Sequence, residues 1–104
     1  MKQSGTPQTA IARPAAKRLA DALVAMRDAD ECLALIQDLC TPAELEAIVD
    51  RWRVAEQLDA GRHYREIHDR TGVSVTTVGR VARFMGQGHG GYRLALDRTR
   101  DARR

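Results

Sequence analysis

The chain has 104 residues, enough for one small domain but so few that the core of a lone chain would be marginal, so association is expected before any motif is read. Lys and Arg number 17 against 14 acidic residues, a formal net charge of +3 that admits a polyanionic partner without requiring one. No apolar run approaches a membrane span and the N-terminus lacks the apolar stretch of a signal peptide, so no membrane association and a cytoplasmic location are expected.

Residues 1–12 mix Gln, Ser, Thr, Gly and Pro without a period and read as a disordered tail. Pro14 suits the first turn of a helix, and Leu19, Leu23 and Met26 follow at helical spacing, so residues 14–28 form a first amphipathic helix. Asp28 or Asp30 caps a second, carrying Cys32, Leu33, Ile36, Leu39 and Cys40. The two cysteines are eight residues apart, about 12 Å along a helix, too far for a disulfide between them. Both are expected to be buried thiols.

"CTPAELEAIVDRWRVAEQLDAG" is the best-marked helix. Thr41 is placed as N-cap, Pro42 opens the first turn, and Glu44 completes a capping box. Leu45, Ile48, Val49, Trp52, Ala55 and Leu58 then form an apolar face, and Gly61 is the stop. A short helix from Tyr64 to Arg70 follows, broken by Gly72, and another runs from Ser74 to Met85. Gly86, Gly88, Gly90 and Gly91 make a flexible connection to a short last helix over residues 92–98, and the final "TRDARR" reads as a frayed, charged tail. No segment alternates at period two, so the fold class is all-α with about six helices.

"RTGVSVTTVGRV" carries the functional signal. At about 100° per residue, Val75, Val78, Val81, Ala82 and Met85 share one side of the helix from Ser74. Thr76, Arg80 and Arg83 lie opposite, with Thr77 and Phe84 on one flank. Arginine makes paired bonds to guanine, and threonine offers a hydroxyl and a methyl, so this is a face suited to the major groove of double-stranded DNA. Two short helices joined at a glycine turn make a helix-turn-helix, here over residues 64–85. Ser74 can cap the second helix, whose first N–H groups suit a phosphate. Arg80 is the expected base contact, and Arg65 and Arg83 are expected to position the protein on phosphates. The competing reading is an arginine-bearing solvated helix in a bundle.

From "TPAELEAIVDRWRVAEQLDAG" through "YREIHDRTGVSVTTVGRVARFM" to "GGYRLALDR", the chain resembles the Trp-repressor superfamily, and most of all its YerC/YecD type. The resemblance covers residues 15–98. It implies an intertwined homodimer in which the N-terminal helices and last helix of both chains build a shared core, with two reading heads. Residues 13–98 are then one DNA-binding and dimerisation domain, flanked by a tail at 99–104. His68 is bulky where helix-turn-helix motifs usually place a small residue, and is expected to open the crossing angle.

The resemblance also implies a ligand pocket. Thr41, Arg51, Thr77 and Arg80 match tryptophan-contacting positions in type. Val81 and Phe84 stand where the family has glycine and serine, so the pocket is expected to be vestigial. Phe84 fills it, no tryptophan response is expected, and Arg51 passes to a surface ion pair. No cofactor or metal is expected, since His63, His68 and His89 lack metal-ligand spacing. "GQGHGGY" follows a helix and is therefore no nucleotide-binding turn. No nucleophile–base pair stands out, so an enzyme is not expected. The function read from the sequence is a sequence-specific DNA-binding transcriptional regulator, expected to repress. A helical module binding an acidic protein partner and a ligand-gated Trp-type repressor remain the alternatives.

Overall fold

The computed structural model describes residues 12–102; the expected N-terminal tail lies almost wholly outside them. All the described regular structure is helical: α1 (Arg13–Val24), α2 (Ala29–Leu39), α3 (Pro42–Asp59), α4 (Tyr64–Thr71), α5 (Val75–Gln87) and α6 (Gly91–Ala102). The chain divides into two units, Met1–Thr41 and Pro42–Arg104.

The first unit contributes α1 and α2, and neither helix has a buried residue. Asp28 settles the choice of cap: its carboxylate accepts the Glu31 N–H at 2.9 Å. Leu19, Leu33 and Leu39 stay exposed, and Val24 is 82% exposed. Cys32 and Cys40 are free thiols, as expected, but half-buried where full burial was expected, because no core forms around these helices.

The second unit packs α3, α4, α5 and α6 together. Its core is Val54 and Ala55 of α3, Ile67 of α4, Val73 in the turn, Val78 and Val81 of α5, and Leu96 of α6. Trp52, Leu58, Met85 and Tyr92 pack against it, partly buried. The front half of α3 is different. Ile48 and Val49 are exposed, so the apolar face read from the sequence is covered only at its C-terminal end.

Helix ends follow the sequence signals. Gly61 has φ +85°, its N–H donates to the Leu58 carbonyl, and the Arg62 N–H reaches back to the Gln57 carbonyl. That pair of bonds is the Schellman arrangement, which only a left-handed residue closes without strain. The last helix departs from expectation. It begins at Gly91 and continues to Ala102, so residues 99–102 are helix and not a frayed tail. Its final turn is held by Arg100, which hydrogen-bonds to Asp59 at the end of α3.

Gly88 ends α5 under a tighter constraint than flexibility. A Cβ there would stand 2.4 Å from the Phe84 carbonyl oxygen, closer than real Cβ atoms approach backbone. Gly86, inside α5, would meet nothing within 4 Å. Gly88→Ala is therefore expected to lower the melting temperature by displacing the α5 terminus. Gly86→Ala is expected to raise stability by about 0.5–1 kcal/mol through helix propensity. Thermal melts of the two variants check the contrast.

Candidate nucleic-acid interface

The turn between α4 and α5 is closed by its own hydrogen bonds. Gly72 has φ +77°, and its N–H donates to the His68 carbonyl at 2.8 Å. The Thr71 hydroxyl donates to the Ile67 carbonyl at 2.7 Å and accepts the Val73 N–H at 3.1 Å. His68 Nδ1 lies 2.8 Å from the Val73 carbonyl oxygen and donates to it. The sequence presented His68 only as bulk, whereas the structure makes it a tie across the turn. Val73, inside that turn, is buried, while Val75 one step into the helix is 44% exposed. The expected valine stripe is thus corrected: Val78 and Val81 face the core, and Val75 does not.

Ser74 caps α5, its Oγ accepting the Thr77 N–H at 3.1 Å. The same Oγ donates to the Thr77 hydroxyl, also at 3.1 Å. Thr77 is half-buried and occupied in this cap, which leaves Thr76, Arg80 and Arg83 as the exposed polar side of α5. Arg65 is exposed on α4.

Charge is concentrated here. Residues 62–83 contain five arginines against Glu66 and Asp69, an excess equal to the net charge of the whole chain. Glu66 pairs with Arg70 at 3.3 Å and with Arg62 at 3.8 Å. Arg65, Arg80 and Arg83 make no ion pair among the described residues. Three uncompensated guanidinium groups on one helix pair form an electropositive surface.

Four of the six residues of the expected pocket, Arg51, Arg80, Val81 and Phe84, line one cavity. This cavity of about 530 Å³ is lined by Arg51, Trp52, Arg80, Val81, Phe84, His89 and Tyr92, among others, all from the second unit. Phe84 does not fill it. The ring lies on its wall, 41% exposed, with the Arg80 guanidinium carbon 5.2 Å from its centroid. Val81 points into the core and contributes only an edge. Arg51 lines the cavity and makes no ion pair among the described residues, contrary to the expected surface pair. Thr77 is not at the cavity, and Thr41 closes the first unit.

Behind the interface, Asp59 fastens α3 to α6. It accepts hydrogen bonds from Arg100 and from Arg93, the latter at 3.1 Å, while Asp97 bridges the same two arginines at 3.2 and 3.3 Å. The hydrogen bond from Arg100, then that from Arg93, hold the Asp59 carboxyl below its ordinary value of 3.8. A depressed carboxylate contributes stability that is complete above the unfolded value and is lost as pH falls through the folded one. The melting temperature is therefore expected to fall more steeply below pH 4 in the native protein than in Asp59→Asn. Melts in buffers from pH 2.5 to 6 test this.

Among the described residues no cluster of three or more His, Cys, Asp or Glu could hold a metal. No described helix is long and apolar enough to cross a membrane.

Described residues whose regular structure is all helical, with a hydrogen-bonded helix-turn-helix set on a long helix, define a class of helix-turn-helix proteins. The chain belongs to the Trp repressor family, whose model, described as Trp repressor protein, matches residues 15–100. It is 34% identical over 84 residues to YerC of Bacillus subtilis (strain 168), an uncharacterized protein, covering 81% of each chain. The crystal structure of a TrpR-like protein from Eubacterium eligens ATCC 27750 superposes with a TM-score of 0.76 at 32% identity, over 83% of this chain and 89% of the other. A putative Trp repressor from Staphylococcus aureus gives 0.77 at 32% identity, over 84% and 87%.

Proposed function

We propose that the protein is a dimeric, cytoplasmic transcriptional regulator that binds double-stranded DNA in a sequence-specific way through α5. The observation that carries this is the exposed Thr76–Arg80–Arg83 side of a helix whose entry is fixed by four turn hydrogen bonds and a serine cap. Arg80 contacts a base, while Arg65 and Arg83 contact phosphates and hold the register. Thr76 adds a methyl and a hydroxyl to the base edge, and the N-terminal turn of α5 faces a phosphate. Dimerisation rests on the uncovered apolar side chains of α1, α2 and the front of α3, which a second chain would bury. Two heads then meet half-sites about one DNA turn, ~34 Å, apart.

The test is selection of duplexes from a random pool by the purified protein, with its mass measured by light scattering. An enriched inverted repeat and a dimer mass are expected. A stable monomer removes the intertwined dimer, and a pool that stays random removes sequence reading. Binding to an acidic protein that is insensitive to salt would favour an interaction module instead.

A second reading, ligand gating, has one observation in its favour, the open cavity beside Phe84. Tryptophan itself is not expected to bind. Arg51 and Arg80 can take a carboxylate, but none of the described lining residues is acidic and able to take the ammonium. Calorimetry with L-tryptophan is expected to show no micromolar binding, and DNA affinity is expected to be unchanged by it. A tenfold gain in affinity for the selected duplex would establish a tryptophan-gated repressor.

A further inference from the structure

Phe84 is the single phenylalanine of the chain, and its half-exposed ring has two cationic neighbours. The Arg80 guanidinium carbon lies 5.2 Å from the ring centroid and that of Arg83 5.9 Å. Both are within the ~6 Å at which a cation is drawn to the face of an aromatic ring. Arg80 stands one helical turn before Phe84, which brings it over the ring, and Arg83 is its chain neighbour.

A ring at this place does something that neither a carboxylate nor an aliphatic side chain would do. A carboxylate would orient an arginine but cancel its charge and occupy its N–H groups. An aliphatic residue would leave the guanidinium to sample its rotamers. The π-face attracts the cation and leaves all five N–H donors directed outward. Neither arginine has a carboxylate partner among the described residues, so no ion pair supplies an alternative hold.

We propose that Phe84 is a positioning residue for DNA recognition: its ring holds the guanidinium groups of Arg80 and Arg83 in the orientation in which α5 presents them to the duplex. The proposal rests on the DNA-binding reading above. Phe84 touches neither base nor phosphate in this account and acts through the two arginines.

Because there is one phenylalanine, expression in a phenylalanine-auxotrophic host with 4-fluoro-, 3,5-difluoro- or 3,4,5-trifluorophenylalanine alters this ring alone. Each fluorine drains negative potential from the ring face with little change in size. Affinity for the selected duplex is expected to fall stepwise along the series, by about three- to tenfold at three fluorines. In the free protein, NMR relaxation of the Arg80 and Arg83 Nε–Hε groups is expected to show growing mobility in the same order. Phe84→Trp is expected to retain affinity, and Phe84→Leu to lose it. Unchanged affinity across the fluorinated series, or arginine mobility that does not respond, overturns the proposal. So does a Phe84→Leu variant that melts lower yet binds DNA as well as the native protein, since the ring is then only packing. Failure of the unsubstituted protein to bind any duplex overturns the DNA-binding reading itself, and shows before any fluorine is introduced.

Discussion

Ile67→Ala is expected to destabilise the C-terminal unit by about 2–5 kcal/mol. Ile67 is fully buried and is the one core side chain that α4 supplies to the cluster joining α3, α5 and α6. Truncation removes the transfer free energy of three carbons and leaves a cavity that Val54, Val78 and Val81, stiff at χ1, can fill only in part. A small domain has only about 5–15 kcal/mol of net stability, so the loss is a large share of it. In a unit of this size the melting temperature should fall by about 10–30 °C. The paired control is Val75→Ala, which removes an exposed methyl pair and is expected to change stability by no more than about 0.5 kcal/mol. Denaturant titrations of the two variants measure both. Near-equal effects would mean that α4 and α5 do not meet over the core described here.

Arg80→Ala is expected to weaken binding to the selected duplex by about 1–3 kcal/mol and to relax preference at one base pair of each half-site. Arg80 is on the exposed side of α5, its guanidinium carbon 5.2 Å from the Phe84 ring centroid, and the proposed reading makes it the base contact. Arg65→Ala and Arg83→Ala are expected to weaken binding to all duplexes alike, and each to reduce the salt slope by about one. The three variants separate by comparing the selected duplex with a scrambled one at two salt concentrations. An equal loss from Arg80→Ala on both duplexes would reduce that residue to a phosphate contact.

Much of the second unit is legible from local chemistry. Pro42, Gly61, Gly72 and Ser74 each do what their type suggests, and they place α3, α4 and α5 within a residue or two. What escaped the sequence is carried by long-range or side-chain partners. Residues 99–102 look like a loose charged end, and no local period marks them as helix. The Asp59–Arg100 pair that secures them joins positions 41 apart. A helical projection turns Val75 inward because it treats the first residue of the helix like the rest. In the structure the chain turns at Val73, which takes the inward place.

The site was legible as a surface and less so as a set of contacts. The exposed Thr76, Arg80 and Arg83 follow from the hydrophobic stripe beside them. The cap that consumes Thr77 could have been found from the serine three residues earlier. The family resemblance gives Phe84 a place in a pocket, whereas its i, i+4 relation to Arg80 is itself a signal of pairing on one helix face. The bond from His68 to the Val73 carbonyl depends on the turn geometry and has no sequence signature of its own.

The central claim is that α5 reads duplex DNA, and fluorescence anisotropy against rising salt tests it most directly. The selected inverted repeat and a scrambled duplex of the same length and composition are each titrated with protein between 50 and 300 mM salt. The account predicts that the selected duplex binds at least about a thousandfold more tightly near physiological salt. It also predicts that log affinity for both falls linearly with log salt, as counterions are released from phosphates. Equal affinity for the two duplexes, or binding to neither at low salt, would contradict it.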